Sequence, residues 1–205
     1  MSKIFFLLSK IAAITGVLFL VISFAPSLWY NLVSGGPEQN AKLLGSTVTD
    51  NSPTKTTKKD SYQPLFNPLL PKENRIKMVS VGINTVINEQ PLATYENALR
   101  IGVWRVPDFG TPTDRSKPMI LAAHRFGYLK WTVVYRLTNS FYSLPKLKIG
   151  DVAEVDWQQR KYTYAIYAED KGEAPTDYSA DLILYTCEAL NSSVRIFKYG
   201  RLLEI

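Results

Sequence analysis

Apolar residues crowd the first thirty positions and then thin out abruptly. The stretch from Ile4 to Ala25 is interrupted only by Ser9, Lys10, Thr15, Gly16 and Ser23, and no charge falls between Ile11 and Tyr30. At a helical rise of about 1.5 Å per residue, such a run covers about 30 Å, the hydrocarbon thickness of a bilayer. Trp29 and Tyr30 follow where an interfacial aromatic belt is expected. Lys3 and Lys10 precede the uncharged run and the next charge is Glu38. This asymmetry predicts a cytoplasmic N-terminus with everything after residue 30 outside. The rival is a cleaved signal peptide, but the apolar region is long for one and Phe24 to Leu28 offers no small-x-small cleavage site. The expectation is an uncleaved single-pass plasma-membrane anchor over residues 1–30, with the rest of the chain extracellular.

Residues 31–63 carry Gly, Pro, Ser, Thr, Asn and Lys with few large apolar groups, which predicts a tether that cannot fold alone. From residue 64 to 205 the period changes to two. Ile76–Val81, Ile101–Val106, Met119–Ala123, Val152–Trp157, Arg160–Ala168, Leu182–Thr186 and Val194–Ile205 read as strands, rich in β-branched and aromatic residues and bounded by Gly, Pro and Asp. Tyr162, Tyr164, Ile166 and Ala168 fall on one face of their strand. Helical periodicity is weak, with candidates at Ala93–Leu99 and Trp131–Leu137. Gly150-Asp151 and Gln158-Gln159 mark tight connections. The pattern predicts one mostly β domain of about 140 residues, a barrel or sandwich.

Charge adds little. Six basic and three acidic residues precede residue 64, and 18 basic face 15 acidic after it, giving +6 overall. No dense Lys/Arg stripe interleaved with aromatics is present, so nucleic acid is not an expected partner. Cysteine usage changes the picture more. Cys187 and His124 are the only residues of their types, so neither an intramolecular disulfide nor an ordinary zinc site can be built from them. An unpaired thiol outside the cytoplasm is a liability unless it is used. A thiol and an imidazole together supply nucleophilic catalysis.

Both residues end apolar runs. Ile120-Leu121-Ala122-Ala123-His124 delivers the histidine, and Leu182-Ile183-Leu184-Tyr185-Thr186-Cys187 delivers the cysteine. Val194-Arg195-Ile196-Phe197 brings an arginine into the last strand. Strand ends hold reactive groups on a rigid frame. A thiolate attacks a carbonyl, an imidazole protonates the leaving amine, and a guanidinium stabilises the developing oxyanion. Cys187, His124 and Arg195 are thus a complete set for acyl transfer, with Arg201 the rival for the arginine's role.

These motifs, in this order, resemble the sortases, cell-surface cysteine transpeptidases, over nearly the whole chain. Gly102-Val103-Trp104 with Pro107 resembles the family's stretch before the histidine. Ala122-Ala123-His124 resembles its Ala-Gly-His, Leu147-Lys148-Ile149-Gly150-Asp151 its Leu-Lys-x-Gly-Asp turn, and Ile183-Leu184-Tyr185-Thr186-Cys187 its Thr-Leu-x-Thr-Cys. The resemblance implies an eight-stranded β-barrel with short helices, preceded by the transmembrane helix. It implies that Cys187 cleaves the Thr–Gly bond of a Leu-Pro-x-Thr-Gly-like sorting signal on surface proteins through a thioester. The acyl group then passes to an amine acceptor, such as a peptidoglycan cross-bridge or another protein. Thr186, Ala123 and Leu184 are expected to bind substrate.

Ala123 stands where the family has glycine and Ile183 where it has threonine, which leaves the subfamily open. The absence of a lid motif in the tether and of a second apolar segment argues against the pilus-polymerising type. The acidic residues Glu169, Asp170, Glu173, Asp177 and Asp181 precede the cysteine strand, and some sortases bind calcium in the corresponding loop. A solvated loop is the plainer reading, and no cofactor is expected. Competing readings are an L,D-transpeptidase-like peptidoglycan enzyme, whose cysteine motif should read Ser-x-Gly-Cys, and an inactive membrane-anchored β-barrel binding module.

Overall fold

The period-two segments close into one barrel. The computed structural model describes residues 10, 12–25, 42, 44–45 and 62–205, and the chain divides into two compact units at Gly36/Pro37. In the first unit residues 12–25 are helical, and the large apolar side chains from Ile14 to Phe24 that are described stand exposed. Among the described residues no helix is long and apolar enough to cross a membrane. The rest of the expected 1–30 anchor and most of the 31–63 tether lie outside the described residues.

The second unit holds eight strands: β1 (Arg75–Met78), β2 (Ile83–Glu89), β3 (Val103–Arg105), β4 (Met119–Ala122), β5 (Val152–Trp157), β6 (Arg160–Gly172), β7 (Leu182–Cys187) and β8 (Arg195–Leu203). They form a closed barrel in the order β1-β2-β3-β4-β7-β8-β6-β5. The β2–β3 and β4–β7 pairs are parallel and the others antiparallel. Two short helices of this unit, α1 (Tyr95–Leu99) and α2 (Val133–Asn139), lie in the connections after β2 and β4. Thr132 caps α2 by accepting from the Tyr135 N–H, which satisfies one of the donors that a helix start leaves open.

Two local features decide how the strands meet. Gln158 and Gln159 both take positive φ, 50° and 57°, which gives the two-residue β5–β6 hairpin the primed turn geometry that strand twist favours. The expected strand Arg160–Ala168 runs on to Gly172, and a bulge falls between Ile166 and Ala168. Tyr162, Tyr164 and Ile166 fill the barrel, but the bulge turns Ala168 away from them to the outer cluster. An extra residue reverses the alternation beyond it. The strand β2 is an addition to the sequence reading, which stopped at the turn around Gly82.

β7 is buried at every position, as a strand covered on both faces must be. Its even-numbered residues Leu182 and Leu184 join Met119, Leu121 and Ala123 inside the barrel. Its odd-numbered residues Ile183, Tyr185 and Cys187 join Ile120, Ala122, Phe197 and Tyr199 in a second cluster on the outer face, roofed by Ala98 and Leu99 of α1 and by Leu44. The Tyr185 hydroxyl donates to the Leu44 carbonyl at 2.7 Å, so this part of the expected tether is fastened to the barrel wall.

Leu184 has no solvent exposure. Truncating Leu184→Ala empties part of the barrel interior and is expected to cost about 2–5 kcal/mol. Urea denaturation of the variant beside the parent, read by circular dichroism, checks this value.

Candidate functional site

The register of three adjacent strands assembles the site. β4 lies parallel to β7 with Ile120 opposite Ile183 and Ala122 opposite Tyr185. The ladder continues one step past β4, because the Ala123 N–H donates to the Tyr185 carbonyl at 3.4 Å. Two residues beyond Ala122, His124 therefore comes to the level of Cys187. On the other flank β8 runs antiparallel to β7, with Arg195 directly opposite Cys187. Directly opposed residues share a face, and neighbouring strands lie about 4.8 Å apart. Cys187 and Arg195 thus stand side by side on the outer face of the barrel, and His124 leaves the end of β4 at the same rim.

Several bonds fix the histidine end. The Thr186 hydroxyl donates to the Ala123 carbonyl at 2.8 Å, and the Phe141 N–H donates to the His124 carbonyl at 3.0 Å. The imidazole packs edge-on against Tyr128 and Trp131, with ring centroids 5.4 Å and 6.2 Å away. Trp131 reaches that position over Gly127. Gly127 has φ of 68°, and a Cβ there would lie 2.1 Å from the indole. Only glycine satisfies both the backbone conformation and the close approach.

Burial sets the charge state. His124 is 2 % exposed, its Nε2 has no hydrogen-bond partner among the described residues, and desolvation pushes its pKa down to about 4. Cys187 is also 2 % exposed, and burial raises its thiol pKa above the ordinary value. The Arg195 charge opposes that rise, and Arg125 opposes it more weakly. Near neutral pH the resting pair is thiol and neutral imidazole, since burial penalises both charged forms.

Arg195 is almost wholly buried, and its Nη1 donates to the Ser192 and Val194 carbonyls. These bonds tie the guanidinium to the turn between β7 and β8, where Asn191 takes a φ of 57°. Arg201, the rival, lies six residues further along β8, opposite Ala165. It caps the Ser179 carbonyl and sits 4.8 Å over the Tyr167 ring. Six strand residues span about 20 Å, too far from Cys187 for Arg201 to serve the thiol.

The three expected substrate-binding residues lie elsewhere. Ala123 and Leu184 point into the barrel interior, and Thr186 shares their alternation; all three are fully buried. The contact made by Thr186 is the clamp on the histidine strand. Arg125, Tyr128 and Trp131 surround the site without having stood out in the sequence. Arg125 donates to the Glu188 carbonyl, so the residues after His124 and Cys187 are joined to each other. Arg125 and Glu188, with Ile196, Lys198, Glu169 and Asp170 among others, line a polar groove of about 490 Å³ beside the strand ends.

The five acidic residues do not converge. Glu169 pairs with Lys198, Asp170 accepts from Tyr199 and Thr176, Glu173 from Ser193, and Asp177 from Tyr167 and Ser179. Asp181 pairs with Arg115 and accepts from the Leu202 N–H. Among the described residues no three His, Cys, Asp or Glu side chains are grouped so as to hold a metal ion.

Comparison with known proteins agrees with the barrel. No protein-family model matches the sequence, and no curated protein matches it either. Solved structures do match. A sortase C1 from Streptococcus agalactiae superposes with a TM-score of 0.51 at 17 % identity, over 91 % of this chain and 89 % of that one. Sortase C1 of the pilus island 1 of group B Streptococcus gives 0.52 at 16 % identity, over 81 % and 84 %. Sortase C2 of the same island gives 0.51 at 18 %, over 81 % and 96 %. The fold is that of the sortases.

Two measurements follow from the charge state. Alkylation of Cys187 by iodoacetamide is expected to rise steadily with pH through and beyond the ordinary thiol range, with no plateau near neutrality; a flat rate from pH 5 to 8 would mean a standing thiolate–imidazolium pair. Acid stability is the second. Because the folded pKa of His124 lies below its unfolded value of about 6.5, its contribution is complete above pH 6.5 and lost as pH falls towards 4, about 3 kcal/mol in all. In urea melts at pH 7 and pH 4, His124→Gln should lose less stability on acidification than the parent. Trp131→Leu, which admits water to the imidazole, should raise the folded imidazole pKa and so shrink the His124-linked loss between pH 7 and pH 4.

Proposed function

We propose that this chain is a sortase-type cysteine transpeptidase, held by its N-terminal segment in the plasma membrane with the barrel outside the cell. The observation that supports the reading is the direct pairing of Cys187 with Arg195, with His124 two residues past the last β4–β7 pair at the same rim. The substrate is a surface protein bearing a Leu-Pro-x-Thr-Gly-like signal, and the acceptor is an amine of a peptidoglycan cross-bridge or of another protein.

The chemistry follows from the neutral resting pair. The Cys187 thiol gives its proton to His124 as its sulfur attacks the Thr carbonyl carbon, and the carbonyl π pair moves onto oxygen. The buried Arg195 guanidinium supports the oxyanion, as a fixed charge in a dry site does best. Collapse of the tetrahedral species breaks the C–N bond. The imidazolium returns its proton to the departing glycine amine, leaving a thioester on Cys187. An acceptor amine then attacks the thioester, His124 takes its excess proton, and the sulfur leaves to recover that proton. A new amide forms and the site is restored. An imidazole with a low pKa is a strong acid once protonated, which suits delivery of the proton to an amine leaving group.

The test is intact-mass spectrometry of the full chain in detergent with a peptide library around Leu-Pro-x-Thr-Gly, with and without an added amine. The expected result is an acyl adduct on Cys187 that amine converts into an amide product, with none on Cys187→Ala. Arg195→Lys should retain adduct formation at a rate lower by about 10²-fold or more, since one point charge replaces a fixed fork. Failure of the whole library on a folded chain would favour an inactive binding module.

A further inference from the structure

Between Asp114 and Asp151 the chain has no acidic residue and seven basic ones. Within this stretch, directly after His124, lies the segment from Tyr128 to the end of α2. Its inner side is fixed. Tyr135 donates to the Ile101 carbonyl at 2.8 Å, and Asn139 accepts from Thr85 of β2. At 100° per residue the opposite side of the helix carries Val133, Leu137 and Val134. They are 71 %, 38 % and 70 % exposed, and Leu129, four residues before Val133, is also exposed by more than half. Exposed Lys130 and half-buried Arg136, whose Nε is buried, border this apolar face, and neither forms an ion pair with a described residue. Arg100, whose guanidinium lies 5.7 Å over the Tyr128 ring, pairs with Glu96.

We infer that this face, Leu129, Lys130, Val133, Val134, Arg136 and Leu137, docks on an anionic lipid surface. Exposed valines on a short helix gain nothing from water, whereas the acyl boundary of a bilayer receives them. The exposed Lys130 ammonium at the rim is attracted by anionic headgroups, and the half-buried Arg136 adds its charge from behind. Nucleic acid would use the charge but leave the valines uncovered, and a protein partner would be expected to need acidic groups matched to Lys130 and Arg136. The chain also presents exposed apolar side chains on its 12–25 helix, a second surface suited to lipid. Docking through α2 would hold the histidine end of the site at headgroup level. The inference extends the membrane placement proposed above but is separable from it, because α2 meets added vesicles whether or not the N-terminal segment inserts.

The test uses the full chain carrying Cys187→Ala with a single new cysteine, Val134→Cys, labelled with an environment-sensitive dye. Val152→Cys on β5 serves as the control. Vesicles of phosphatidylcholine with and without phosphatidylglycerol carry spin-labelled lipid, and vesicle flotation separately reports insertion of the chain. Blue shift and quenching at position 134 but not 152, strengthened by phosphatidylglycerol, support docking. The pair Lys130→Glu and Arg136→Glu should weaken the anionic dependence by about tenfold or more. Val133→Ser with Leu137→Ser, both at exposed positions, should lose the quenching while the fold holds. An unquenched label at 134, or equal quenching at 134 and 152, overturns the inference whatever flotation reports.

Discussion

The site depends on one register, that of β4 against β7. Side chains alternate along a strand, so a slip of one residue would carry His124 into the barrel interior and Ala123 to the outer face. Three features hold the register. Met119 and Leu121 bury themselves with Leu182 and Leu184 inside the barrel, and the outer cluster takes Ile120 and Ala122 with Ile183 and Tyr185. The Thr186 hydroxyl then pins the Ala123 carbonyl beyond the last ladder pair. A slip would lose both cores at once, which is why two apolar faces specify the pairing more strongly than one.

That arrangement explains what could be read from the sequence. Apolar runs ending in His124 and Cys187 announce strands that stop at the rim, and Arg195 follows after a connection short enough for an antiparallel return. The barrel class and both helical segments were legible for the same reason, since each carries its period locally. β2 was not, because Asn84, Asn88 and Glu89 dilute its few apolar residues and Gly82 looked like an end rather than a turn. The Ala168 bulge was also hidden, since nothing in the residues themselves says where a strand gains an extra position.

The three expected substrate residues are all buried in the barrel wall or interior, for an instructive reason. Thr186, Ala123 and Leu184 belong to the motifs that carry the resemblance, yet in a strand the neighbour in sequence lies on the opposite face. The groups that do surround the imidazole come from further away. Tyr128 and Trp131 fold back over it after a turn that only Gly127 permits, and that contact is tertiary. Gly127, three residues after the histidine, was the available signal, and it reads as a turn without saying what the turn brings near.

Burial at the site works in two directions. Removing water raises the thiol pKa and lowers that of the imidazole, which empties the reactive ionic form from the ground state. The same low dielectric lengthens the reach of Arg195 and Arg125, whose charges already oppose the thiol's rise. The developing sulfur and oxygen charges would meet fixed guanidinium fields that need no reorganisation, whereas the resting thiol draws little from them. If the proposed chemistry holds, a neutral pair beside the buried Arg195 and the half-buried Arg125 would meet electrostatics that favour the transition state over the ground state, and differential stabilisation of that kind is what lowers a barrier.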